Sequence, residues 1–218
     1  MNPRHERILA LLAMNGAASV RAMAKAFGVT EMTIRRDLDL LEREGRLVRT
    51  HGGAMLSRPS IVEFEFREKS HVRAAQKRAI AGEASKLITP GMSVSIDTGT
   101  TTLEVAKAVA GRKRLKVLTP SLAVASVLYV YDGIELVLLG GIARKGSPDL
   151  QGEITENNIA RFRVNLAVLG ADAISREGLY TTDAAVSRVS RALIAGARRR
   201  ASVADSSKLS QLAFVKFG

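Results

Sequence analysis

A chain of 218 residues with 46% hydrophobic content has room for one large domain or two modest ones and can bury a real core, which excludes wholesale disorder. It has no Cys, which excludes disulfides and thiolate metal sites, and its three histidines, His5, His51 and His71, are too scattered for a metal-ligand pattern. Lys and Arg exceed Asp and Glu by 33 to 21, a net charge of +12 that favours a polyanionic partner.

The N-terminal "MNPRHERILALLAMNG" lacks a sustained apolar core or a cleavage site, and the apolar run "LAVASVLYVYDGIELVLL" is broken by Asp132, Gly133 and Glu135. The protein is therefore expected to be soluble, cytoplasmic and free of membrane. Pro3 opens a first helix carrying Ile8, Leu11 and Leu12, which ends at the turn pair Asn15-Gly16. Ser19 is an N-cap for "VRAMAKAF", with Val20, Met23, Ala24 and Phe27 on one face and Gly28 as the left-handed stop. Thr30 then caps "EMTIRRDLDLLERE", where Ile34, Leu38 and Leu41 form the buried stripe. The pattern is helix, tight turn, helix. Thr30, Glu31, Met32, Thr33, Arg35 and Arg36 gather on the outward arcs near the start of the last helix, where a recognition helix meets DNA, and Ser19 joins them. "RLVRTHGGAML" reads as a β-hairpin wing that offers Arg49 and His51 to the DNA backbone or minor groove.

A linker is expected over residues 58–74, merging into a helix through "KRAIAGEASKLI". Apolar strands then alternate with helices: "MSVSI", "LKVLT", "IELVLL", "VNLAVLG" and "ASVAD", separated by "TLEVAKAVA", "SLAVASVLYV", "ITENNIARF" and "AVSRVSRALIAGARR". Strands this apolar indicate a parallel sheet covered on both faces, so residues 75–218 are expected to form a doubly wound α/β domain with its ligand crevice at the strand carboxyl ends. Polar residues cluster in those loops, in "DTGTTT", "TPS", "GG", "GAD", "LYTTD" and "ADSSK". Gly99 lets backbone approach an anion, and Thr98, Thr100, Thr101 and Thr102 set hydroxyls beside helix-start amides, which suits a phosphate group. Neither G-x-x-x-x-G-K-[ST] nor G-x-G-x-x-G is present, so nucleotide binding is disfavoured and no cofactor is expected. Arg198, Arg199 and Arg200 are read as a solvated helix end.

"SVRAMAKAFGVTEMTIRRDLDLLEREGRLVRTHGGAML" resembles the winged helix-turn-helix of the DeoR family of transcriptional regulators, which couples a "TIRRDL" recognition helix to an "HGGA" wing. "IDTGTTT", "LLGG", "VLGADAI", "GLYTTD" and "ADSSKL" resemble that family's C-terminal sensor domain, which is similar in fold to ribose-5-phosphate isomerase. The resemblance implies that Asp97, Gly99, Thr100, Thr101, Thr102 and Lys208 hold a phosphorylated sugar, with Asp172 nearby; Thr98, Gly140 and Gly141 of the strand-end loops complete the set. It departs at Pro120, where the family has Asn, and at Ala184, Ala185 and Ser190, which remove charged groups from the pocket's contour. Family members continue beyond the equivalent of "AFVKFG" through another strand and helix, which implies a body shortened at its C-terminal edge.

The implied function is a repressor of a carbohydrate operon, binding a double-stranded operator over residues 1–57 as a homo-oligomer and relieved by a phosphorylated sugar. The alternative is an active sugar-phosphate isomerase or transferase with a DNA-binding appendage, using loop carboxylates such as Asp97, Asp172, Asp183 or Asp205 as bases. An enzyme has no use for a specific major-groove reader, so no catalytic residue is assigned.

Overall fold

Ile8 and Leu12 from one helix, Met23 from a second and Ile34, Leu38 and Leu41 from a third are completely buried against one another, and each such side chain contributes about 1.5–3 kcal/mol by leaving water. They form the core of the first of two units, Met1–Ile61 and Val62–Gly218, in the computed structural model, which describes residues 3–50, 52–56, 66, 69–144 and 147–218. Residues 58–65, 67 and 68 of the expected linker lie outside the described residues.

The first unit runs α1 (Pro3–Asn15), β1 (Ala17–Ser19), α2 (Val20–Phe27), α3 (Glu31–Arg43), β2 (Leu47–Thr50) and β3 (Gly53–Leu56). The caps fall where the sequence puts them: Ser19 Oγ accepts from the Ala22 N–H at 3.1 Å, Gly28 takes the left-handed conformation at φ 66°, and Thr30 Oγ1 accepts from the Thr33 N–H at 3.2 Å. The wing is a three-stranded antiparallel sheet, β1-β3-β2, because Ala17–Ser19 adds to the hairpin. Gly53 permits this: a Cβ there would lie 2.3 Å from the Ala18 carbonyl oxygen. Asp37 is a charge on the buried side of α3, bonded by the Arg4 guanidinium at 2.5 and 3.0 Å and 3.1 Å from His5 Nε2, so it ties α3 to α1. Burial pushes this carboxyl up, but Arg4 and His5 more than offset that and hold it below its usual range.

The second unit contains α4 (Ala74–Ser85), β4 (Ser93–Ile96), α5 (Thr100–Val109), β5 (Leu115–Thr119), α6 (Leu122–Leu128), β6 (Ile134–Leu138), β7 (Ile142–Ala143), β8 (Leu150–Gln151), α7 (Glu153–Ala160), β9 (Val164–Leu169), β10 (Ala173–Ser175), β11 (Gly178–Thr181), α8 (Ala184–Ala195), β12 (Ala197–Ser202) and β13 (Val215–Lys216). Five strands make one wholly parallel sheet in the order β12-β9-β4-β5-β6. Both faces are covered, as doubly wound strands require. Val94, Val117, Leu166 and Val168 pack with α4, α5 and α6, whereas Leu118, Ala167 and Leu169 pack with α7 and α8. The chain moves outward from β4 through β5 to β6, then returns to place β9 on the other flank of β4, so the strand order reverses between β4 and β9. That reversal opens a crevice beyond the carboxyl ends of the strands. A second antiparallel sheet, β10-β11-β13, forms where β10 and β11 take up the polar segment between "VNLAVLG" and "AVSRV" and β13 joins them from the C-terminal "AFVKFG".

One local expectation is corrected. Arg198, Arg199 and Arg200 are not a helix end: α8 stops at Ala195, and all three lie exposed on β12, which among the described residues pairs with β9 alone and so forms one edge of the sheet. A charged edge of this kind discourages pairing with another chain.

Candidate functional site

Two surfaces bring the predicted polar residues together, one in each unit. In the first, Ile34, Leu38 and Leu41 face the core, which turns Glu31, Met32, Arg35 and Arg36 outward at the start of α3, with Met32 60% exposed. Arg35 Nη2 lies 3.6 Å from Glu31 Oε2, and among the described residues Arg36 has no ion pair. Ser19, Thr30 and Thr33 are exposed or half-buried at the two helix starts, where the Ser19 and Thr30 hydroxyls already cap backbone N–H groups and the Thr33 hydroxyl lies 2.9 Å from that of Thr30. Arg49 is held back against Asp39 of α3, and its N–H donates to Glu42 Oε1 at 3.0 Å, which fixes the wing on the helix. His51 lies outside the described residues.

In the second unit a cavity of about 380 Å³ sits at the strand-order reversal, lined by the loops that follow β4, β9 and β12 together with the start of α8. Thr98, Gly99, Thr100 and Thr101 line it at the start of α5. Gly99, at φ 134°, is the N-cap residue and supplies no side chain; the Leu103 N–H reaches back to its carbonyl at 3.1 Å, leaving the amides of Thr100, Thr101 and Thr102 without a side-chain cap. These amides, with the positive end of the helix, favour an anion. Thr98 Oγ1 is buried in this wall with no partner among the described residues, and such a hydroxyl costs about 1–3 kcal/mol until something bonds it.

The carboxylates of the cavity have different environments. Asp97 is 2% exposed; its Oδ1 accepts from the Thr98 N–H and its Oδ2 from the Ser190 hydroxyl, both at 2.8 Å. Burial pushes it up to about 7, with Asp149 adding to that and the two hydrogen bonds and Arg144 opposing it. For Asp172, burial also pushes upward. Here the Thr182 N–H at 3.0 Å, the Thr181 hydroxyl at 2.9 Å, the Thr182 hydroxyl at 3.2 Å and the charge of Lys208 win, and the carboxyl stays below its usual range. Asp205 is depressed in the same way: the Ser207 hydroxyl and N–H, then Arg73 and Lys208, outweigh its burial. The basic residues of the lining are Lys69, Arg73, Lys77, Arg144 and Lys208. Arg144 is anchored by Asp149 at 3.1 Å and lies 3.8 Å from Asp183.

Of the ligand residues expected from sequence, Asp97, Thr98, Gly99, Thr100, Thr101, Asp172 and Lys208 line this cavity. Thr102, Gly140 and Gly141 do not. Thr102 is completely buried with its hydroxyl on the Gly99 carbonyl, and the Gly140 carbonyl accepts from Thr155 Oγ1 at 2.7 Å, while a Cβ on Gly141 would meet that same oxygen at 2.0 Å. This glycine pair seats α7. Among the four departures from the family pattern, Ser190 alone reaches the cavity, through Asp97. Sequence reasoning missed Lys69, Arg73, Lys77, Arg144, Thr181 and Thr182; "LYTTD" was a signal for the last two. Among the described residues no cluster of acids and histidines could hold a metal ion, and no helix is long and apolar enough to cross a membrane.

Residues 72–218 match the DeoR C-terminal sensor domain, and residues 4–59 match the DeoR-like helix-turn-helix domain. The chain is 36% identical to the glycerol-3-phosphate regulon repressor of Haemophilus influenzae, over 99% of this chain and 84% of that one. It is 33% identical to the protein of the same name from Escherichia coli K12, over 99% and 85%. The lactose phosphotransferase system repressor of Lactococcus lactis is 35% identical over 82% of this chain and 71% of its own. Among solved structures, the ribose 5-phosphate isomerase A of Methanocaldococcus jannaschii aligns with 62% of this chain and 54% of its own at a TM-score of 0.46 and 21% identity.

Proposed function

The chain belongs to the DeoR family of transcriptional regulators, and from that premise we propose that it represses a carbohydrate-metabolism operon and releases it when a phosphorylated sugar occupies the cavity of the second unit. The observation that carries the ligand half is the uncapped start of α5, lined by Thr98, Gly99, Thr100 and Thr101, in one cavity with Lys208. Uncapped amides and a lysine suit the phosphate, and the Asp172 carboxylate, kept ionised by its threonines, suits the sugar hydroxyls. The outward start of α3, with Arg35 and Arg36, reads the major groove, and Ser19, Thr30 and Thr33 contact phosphates.

The isomerase or transferase reading fits less well. The chain's relatives carry the names of repressors, and Asp172 Oδ2 already accepts from three donors, which suits holding a ligand better than taking its proton. The regulator acts in the cytoplasm as a homo-oligomer, since helix-turn-helix readers engage paired half-sites. For release, the ligand must bind one arrangement of the heads better than another, because equal affinity shifts nothing. A thermal-shift panel of sugar phosphates beside their unphosphorylated parents tests this reading. A true ligand at a hundred times its dissociation constant stabilises the fold by about 2.7 kcal/mol. A panel in which no phosphorylated compound outperforms its parent overturns it.

A further inference from the structure

Phe66, Lys69, Val72, Arg73 and Lys77 line the cavity without belonging to any strand-end loop; they lie on the stretch of chain that arrives from the DNA-reading unit and opens α4. Three of the five are cations, and two of those sit where local energetics disfavour them. Lys77 is 6% exposed in the first turn of α4, the end of a helix that repels positive charge. Among the described residues it has no ion pair, and its ammonium donates to the Lys69 carbonyl. Arg73 is the N-cap residue of α4 in a left-handed conformation, φ 54° and ψ 36°, with no side-chain cap bond; glycine or asparagine would take that place at lower cost. Its guanidinium reaches Asp205 Oδ1 at 3.4 Å, in the same loop as Lys208.

A buried cation without a carboxylate, next to other cations, is unfavourable in a scaffold and favourable in an anion site. Burial, and more weakly Lys208, hold the Lys77 ammonium below its usual pKa against the pull of Asp205 and Glu104. Glu104 lies one turn into α5, so the charges that act on Lys77 include one beside the uncapped Thr98–Thr101 loop. Phosphate is the chemistry that fits: a dianion with several acceptor oxygens can take the α5 amides and two or three cations at once.

We propose that Arg73 and Lys77 are ligand-binding residues which, with Lys208, clamp the phosphate seated at the start of α5, so that occupancy is felt directly by the chain segment leading from the DNA-reading unit. This rests on the reading of the cavity as a site for a phosphorylated ligand. It goes beyond that reading in locating the transmission at the start of α4. When the anion enters, Arg73 exchanges its bond to Asp205, and Lys77 its bond to the Lys69 carbonyl, for bonds to the phosphate. Those exchanges redraw the contacts of residues 69–77.

The experiment uses the full chain and inorganic phosphate as the probe, with calorimetric titration and hydrogen exchange on wild type, Lys77→Met and Arg73→Gly. Lys77→Met keeps the apolar stem and removes a buried charge, and Arg73→Gly suits the backbone at φ 54°, so neither variant should melt below wild type without phosphate. Lys77→Met is expected to bind phosphate at least about tenfold more weakly, and Arg73→Gly, whose side chain is 42% exposed, several-fold more weakly. Phosphate should slow exchange of the amides of residues 69–77 in wild type and leave them unchanged in Lys77→Met. Wild-type phosphate affinity in Lys77→Met, or wild-type exchange in this segment that ignores phosphate, would overturn the clamp while leaving the cradle standing. Failure of the wild type itself to bind phosphate would instead strike down the reading of the cavity, and the clamp with it.

Discussion

Replacing Asp97 by Asn removes a titrating proton from the interior of the second unit while keeping the side chain's size and its acceptor for the Thr98 N–H at 2.8 Å. Burial carries this carboxyl from its ordinary 3.8 up to about 7 in the fold, so the folded protein binds the proton more tightly than the unfolded chain does. The sign follows from that. The contribution of Asp97 is fully favourable below pH 3.8 and is lost as pH rises through about 7, so over that span the wild type gives up about 4 kcal/mol, at 1.36 kcal/mol for each pH interval of one. Between pH 5 and pH 8 the loss is about 2–3 kcal/mol. Asp97→Asn lacks this loss, so its stability relative to wild type should rise by that amount across the interval. Urea unfolding followed by tyrosine emission isolates the effect, because Tyr129, Tyr131 and Tyr180 all lie in the second unit and the chain has no Trp. Parallel curves for the two proteins from pH 5 to pH 8 would refute the account of a buried, partly protonated Asp97.

Arg35→Ala and Arg36→Ala should each weaken operator binding by about 1–3 kcal/mol at matched salt without unfolding the first unit, as measured by fluorescence anisotropy on labelled duplex. Thr100→Val and Lys208→Ala should each lower affinity for the phosphorylated ligand at least about tenfold and leave operator binding intact; unchanged affinity in Thr100→Val would mean that its hydroxyl does not reach the ligand. Asp37→Ala should destabilise the α1–α3 pair by about 2 kcal/mol, read as faster hydrogen exchange over residues 3–43 of the full chain. Because the Asp37 carboxyl is depressed in the fold, its contribution is present above the ordinary carboxylate range and lost as pH falls through the lowered value, so the variant should lose less on acidification than wild type.

The helix-turn-helix was legible because its signals are local: Ser19, Gly28 and Thr30 act within one turn of themselves, and the Ile34, Leu38, Leu41 stripe is periodic. The strand Ala17–Ser19 was not, since three small residues carry no strand preference and only the space left by Gly53 brings them to β3. The three arginines of β12 illustrate the same limit. They continue the composition of α8 past Gly196, and pairing with β9, a contact across more than thirty residues, decides their conformation. In the cavity, the loops after β4, β9 and β12 could be found because apolar strands point to them. Arg144 and Lys77 could not, because they arrive from β7 and α4 with no spacing or motif to mark them. Asp37 was hidden for the opposite reason: it sits within a helix pattern that normally exposes charge, and its partners Arg4 and His5 lie more than thirty residues away.

The central claim, that a phosphorylated sugar in the cavity releases the DNA-reading unit, is tested most directly by titrating members of a sugar-phosphate panel and their unphosphorylated parents into the preformed operator complex while following anisotropy. The account predicts release by one phosphorylated compound at concentrations where its parent leaves the complex intact, with the release curve displaced at least about tenfold in Thr100→Val. An operator complex that no phosphorylated sugar dissociates, or a Thr100→Val complex released along the wild-type curve, would contradict it.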